Sequence, residues 1–117
     1  MVLHYSAMQH MGVDEYVLDV LMPDLVGHDR SPGAFLVYLA LWTGLYRSAE
    51  RRIAISLQQL AQRTGLSKSA VQAGVRVLKR RGLVAVTKDT PTSVPQYELR
   101  RHWLGRRSRA LKGYGRG

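Results

Sequence analysis

Cysteine is absent from the 117 residues, so the chain can form neither a disulfide nor a thiolate metal site. Long apolar runs are missing as well. The longest, residues 34–42, is less than half of the roughly twenty residues a helix needs to span a bilayer. The N-terminus lacks the basic stretch and apolar core of a secretory signal, and a cytoplasmic location is the expectation. Catalytic chemistry is equally thin. Asp24, His28 and Asp29 lie close in sequence, but no nucleophile or glycine-rich phosphate loop accompanies them. His4, His10, His28 and His102 lack metal-ligand spacing. No enzyme, cofactor or metal site is therefore expected. Charge is missing by region: residues 1–29 carry five acids and no lysine or arginine, whereas the remainder holds all eighteen basic residues against three acids. With a net charge of +10, the basic body attracts polyanions, although charge alone does not choose among DNA, RNA and an anionic membrane.

What is present is concentrated in residues 55–83. Ser56 is placed to cap a helix, and Gln59 three residues on completes a capping box. Gly65 supplies the left-handed backbone that ends this helix, Leu66 plugs the corner, and Ser67 caps the next one. Val71, Val75 and Leu78 recur as the buried stripe of the second helix, and small Ala61 allows the pair to approach closely. Two helices joined by such a turn make a helix-turn-helix, whose second helix enters the major groove of DNA.

The flanking segments complete a single domain. Val13, Tyr16, Val17, Val20 and Leu21 predict a short amphipathic helix that exposes Asp14, Glu15 and Asp19 and stops at Pro23. Ser31 and Pro32 open a helix reaching about Tyr46, apolar nearly all round, which must be covered by the helix-turn-helix and by the N-terminal helix or a second subunit. Gly44 and residues 48–52 read as a loop, and Ile53 and Ile55 as a short extended piece. Residues 83–87 and 94–99 form a hairpin, with Pro95 confined to an unpaired edge position. The expected fold is mainly α with a small β-hairpin, a winged helix-turn-helix of three core helices plus wing and an extra N-terminal helix. Its expected parts are residues 1–30, an acidic helix and connector that offers a dimerisation or protein-docking element; residues 31–99, the winged helix; and residues 100–117, a basic tail.

Residues 31–100 resemble the winged helix domains of bacterial regulators of the MarR and GntR type, and those of related phage and plasmid replication proteins. The resemblance is carried by Leu60-Ala61, Gly65-Leu66-Ser67, Val71, Leu78 and the exit Arg81-Gly82-Leu83-Val84. Gly74 departs from the pattern, and glycine there weakens the helix by about 1 kcal/mol relative to alanine unless close packing compensates.

The stripe of buried residues turns Lys68, Ser69, Gln72, Ala73, Arg76 and Lys79 toward solvent. Gln72 can pair with adenine, and Arg76 with guanine or a phosphate. Ser67 and Ser69 at the helix start suit a phosphate, and Lys79, Arg80 and Arg81 at its end serve the helix C-terminus, DNA phosphates or both. Lys88 and Thr90, with Thr92 and Ser93, form a wing tip that can reach the minor groove. Arg100 and Arg101 open the basic tail, which adds phosphate contacts; its aromatics can stack on bases, and the alternative is that Trp103 and Leu104 anchor it on the domain. The expected function is sequence-specific binding of double-stranded DNA by a small bacterial or phage transcriptional regulator, a homodimer joined through residues 13–46 and associated with the nucleoid. The alternatives are a plasmid or phage replication-initiation or partition protein, and a winged helix used for protein assembly or RNA binding.

Overall fold

The computed structural model describes residues 9–105. Two π-helical segments, Val17–Leu21 and Asp24–His28, lead into α1 (Pro32–Ser48), β1 (Ile53–Ala54), α2 (Leu57–Thr64), α3 (Lys68–Arg80), β2 (Val84–Thr87) and β3 (Gln96–Leu99). The helical core with its three-stranded antiparallel sheet is a winged helix, as the sequence pattern predicts.

The N-terminal helix differs from expectation in length and in facing. It does not stop at Pro23; helical turns continue to His28. Proline sits at the N-cap of the second π segment, where it gives up one N–H to the preceding turn without ending the helical run. The buried row is Val17, Leu21 and Leu25, while Val20 stays 38% exposed. A row repeating every fourth residue drifts around a regular 3.6-residue helix. The wider π turns, with Met22 N–H bonded to Val17 O and Asp29 N–H to Asp24 O, keep it on the core.

Helix α1 starts where Ser31 Oγ accepts the Ala34 N–H at 3.3 Å. Phe35, Val37, Tyr38, Leu41, Trp42 and Leu45 are all buried along it, which makes it the central element of the domain. Gly44 lies inside this helix and not in a loop, because its bare Cα is where the Ile53 side chain packs: a Cβ there would collide with Ile53 Cδ1. The helix ends at Ala49, which takes the left-handed conformation (φ 57°) and donates its N–H to Leu45 O at 2.9 Å.

Both halves of the α2 capping box form, Gln59 N–H to Ser56 Oγ at 3.1 Å and Ser56 N–H to Gln59 Oε1 at 2.9 Å. Gly65 (φ 80°) ends α2, and Ser67 Oγ accepts the Ala70 N–H at 3.1 Å to start α3. Val71 and Leu78 are fully buried and Val75 partly so. Gly74 is the point where α3 crosses the start of α1. A Cβ there would lie 3.1 Å from both Ala34 Cα and Ala34 N, so close backbone packing explains the glycine.

The sheet order is β1-β3-β2. Val86 pairs with Tyr97 on one side of β3, and Ile53 pairs with the same Tyr97 on the other. β3 is thus a central strand and not an edge, and it begins at Gln96 rather than at Val94. Pro95 falls just outside, since a proline cannot donate to a ladder, and contributes only its carbonyl, which accepts the Ile55 N–H at 3.2 Å.

Candidate nucleic-acid interface

The solvent side of α3 presents Lys68, Ser69, Gln72, Ala73, Arg76, Lys79 and Arg80, all exposed, as the burial of Val71, Gly74 and Leu78 on the other side requires. No ion pair engages Lys68, Arg76, Lys79, Arg80 or Lys88 among the described residues. Their charge therefore projects uncompensated into solvent. Ser67 is occupied as a cap, and its hydroxyl lies 3.2 Å from that of Ser69.

Between the N-terminal turns of α2 and α3 and the wing runs a cleft of about 570 Å³. Lys68, Ser69 and Gln72 line one wall and Lys88, Thr92 and Ser93 the other, over a floor that includes Leu57, Val94 and Pro95. None of its lining residues is acidic. The cleft brings Lys68, Ser69 and Gln72 of α3 and Lys88 of the wing to one place, whereas Ala73, Arg76, Lys79 and Arg80 do not line it. The wing tip is tied to itself: Ser93 Oγ donates to Thr90 O at 2.8 Å and accepts the Thr90 N–H at 3.0 Å. Thr90 and Lys88 remain exposed on it.

Sequence reasoning missed Ser56, Gln58 and Val94 as parts of this cleft. Gln58 is exposed on the first turn of α2, and the helix-turn-helix spacing places that turn beside the start of α3. Val94 is 50% exposed; only the fold of the wing reveals where it points.

Arg100 and Arg101 stand apart from the cleft. The register Val84↔Leu99 puts them at the end of the sheet away from the wing tip. Arg100 keeps an exposed side chain, while its N–H donates to Leu83 O at 2.8 Å. Arg101 is a correction to the expected phosphate contacts. Its guanidinium is 9% exposed, grips the Asp14 carboxylate with Nε–H and Nη2–H at 2.8–3.0 Å, and lies over the Trp42 ring. Trp103 Nε1–H donates to the same carboxylate at 2.8 Å, and its ring stacks on Tyr16 at 4.6 Å. This is a clamp that holds the chain after β3 against the N-terminal helix. The arginines beyond residue 105 lie outside the described residues.

A second tie fixes the exit of α3. Arg81 donates to Asp24 at 2.6 Å and to Asp29 at 2.8 Å. Hydrogen bonding to Asp24 leads in raising the already high Arg81 pKa. The Asp29 carboxyl is held below its ordinary value by the His28 hydrogen bond first and by the Arg81 charge. Burial pushes the Tyr97 hydroxyl above its usual pKa, and it has no part in the cleft.

The MarR family model matches residues 44–92. The matched segment runs from the end of α1 to the wing tip, and the match supports a winged helix DNA-binding domain of the MarR type. It covers under half of the chain, leaving out the N-terminal helix and the central strand. No curated protein and no solved structure gives a significant match. MarR family members are regulators rather than enzymes. The MarR match suggests DNA-binding transcription regulation, and it falls on the α2, α3 and wing segments that build the cleft. No group of described residues could hold a metal ion, and no helix among them is long and apolar enough to cross a membrane.

Proposed function

We propose that this protein binds double-stranded DNA sequence-specifically, as a cytoplasmic, nucleoid-associated transcriptional regulator of bacterial or phage type. The observation that carries the reading is the uncompensated face of α3, which continues into a cleft without acids. In this reading α3 lies in the major groove. Gln72 and Arg76 read base edges there, with Ala73 close enough to touch a thymine methyl. Ser67, Ser69, Lys68, Lys79 and Arg80 hold phosphates, while Lys88 and Thr90 of the wing meet the flanking strand or the minor groove. Arg100 reaches a phosphate beyond the sheet.

The regulator acts as a homodimer, joined through residues 13–46, so that two α3 helices about one helical turn apart address a two-fold site. Support comes from the small reading surface of one subunit and from Val20 and Leu36, which stay 38% and 39% exposed in that segment. Bound protein then controls a promoter by occupancy.

The test is selection of bound duplexes from a random pool at about 150 mM salt, where phosphate-only binding is suppressed. An enriched inverted repeat is the expected result. Direct repeats would indicate an origin-binding replication or partition protein. Absence of any enriched sequence would overturn the reading and direct attention to RNA and protein assembly.

A further inference from the structure

One face of the N-terminal helix is left without a partner, and its chemistry is mixed. Leu18, Met22 and Val26 recur every fourth residue beside the buried row and are 45%, 38% and 39% exposed. Glu15 and Asp19, next to this row, are exposed and make no ion pair among the described residues. The other three acids of the segment are engaged, Asp14 by Arg101 and Trp103, Asp24 and Asp29 by Arg81. A complementary occupant is therefore basic, carries a few apolar side chains, and contains no acid.

The chain supplies such a segment, and it begins near this face. Residues 106–117, outside the described residues, hold Arg106, Arg107, Arg109, Lys112 and Arg116, no acid, and Leu111 and Tyr114. The described chain reaches Gly105 two residues after Trp103, whose ring is seated on Tyr16 at the start of the same helix. From there, twelve residues can extend roughly 40 Å, whereas the face from Glu15 to Val26 is only about 17 Å long. Reach, charge and apolar content agree.

We propose that in the DNA-free protein the basic segment 106–117 docks in cis on this face, its cations beside Glu15 and Asp19 and its Leu111 and Tyr114 against Leu18, Met22 and Val26. The acidic segment is then an internal counter-surface for the chain's own basic end. DNA competes with it for the same cations.

Because the chain has no cysteine, Gly115→Cys creates a unique attachment point for a nitroxide in the full-length, isotope-labelled protein. The expected result is loss of the amide signals of Met22 and Val26. They return when the nitroxide is reduced, at high salt, and in the double variant Glu15→Lys, Asp19→Lys. In a sample mixing labelled protein without nitroxide and unlabelled protein with it, the loss must be markedly weaker, because in the dimer proposed above a partner's segment lies farther from this face than the chain's own. Three results would overturn the proposal: no loss on this helix, loss confined to α3 and the wing, or a loss as strong in the mixed sample as in the single one. The last would make a second copy the occupant, and a fall in molecular mass on Leu18→Asp would accompany it.

Discussion

Two sets of basic residues in this molecule do opposite work. Arg81 and Arg101 are each gripped by carboxylates of the N-terminal segment, whereas Lys68, Arg76, Lys79, Arg80 and Lys88 face solvent with no acidic partner among the described residues. Both sets enter the same net charge of +10, so total charge says little about which cations a polyanion will find. Position relative to the acidic segment decides. Arg80 and Arg81 are adjacent in sequence, yet one faces open solvent and the other belongs to the tie that fixes the end of α3.

The strongest way to break this contrast is to remove the carboxylate from the clamp. Asp14→Ala takes away the acceptor of the Arg101 and Trp103 bonds in a largely buried setting, and is expected to cost about 3 kcal/mol of stability in urea unfolding. DNA affinity per folded molecule should not change. On the other side of the comparison, Gln72→Ala and Arg76→Ala should each lose about 1–3 kcal/mol on the selected site, with a smaller loss on random DNA. Equal losses on both would remove them from base reading. Arg80→Ala should weaken all sequences alike and flatten the salt dependence, while Arg81→Ala should leave that slope nearly intact.

Gly74→Ala sharpens the picture of how α3 is held. Helix propensity alone would make the change stabilising by about 1 kcal/mol. The Ala34 backbone is 3.1 Å from the new methyl, and overpacking costs typically about 1–3 kcal/mol, so a net loss of about 1 kcal/mol is expected in thermal melts. The smallest effect concerns pH. Asp29 is held below its ordinary value of 3.8 in the folded state, so its contribution is complete above that value and disappears as the pH falls through the lower native one. Arg81 stays charged throughout. Acid unfolding curves of Arg81→Ala should therefore show a shallower loss of stability below about 3.8 than those of the parent.

The helix-turn-helix was legible because its signals are local. A serine cap, a reciprocal glutamine, a left-handed glycine and a second serine cap each act within four residues, and each forms as written. Signals that depend on distant partners were not legible. Gly44 looks like a breaker until Ile53 is seen filling its place. Pro23 looks like a stop because α-helical spacing is assumed, and the π turns relax that assumption. The place of β3 between β1 and β2 depends on a two-residue strand more than forty residues earlier, which no local pattern announces. Within the interface, the exposed face of α3 followed from periodicity alone. Arg101 was misread because an arginine at the head of a basic run gives no sign of a carboxylate 87 residues upstream.

The sheet order carries a consequence for how the molecule is made. Its central strand is the last to leave the ribosome, and until Leu99 has emerged neither β1 nor β2 has a neighbour to pair with. The caps of α2 and α3 are local and mark the helix ends as soon as they are synthesised, but the wing that closes the cleft waits for β3. The clamp waits two residues longer, for Arg101. A nascent chain or a truncation ending before residue 96 would thus carry the helix-turn-helix residues with no strand pairing and without Tyr97 and Leu99 in the core.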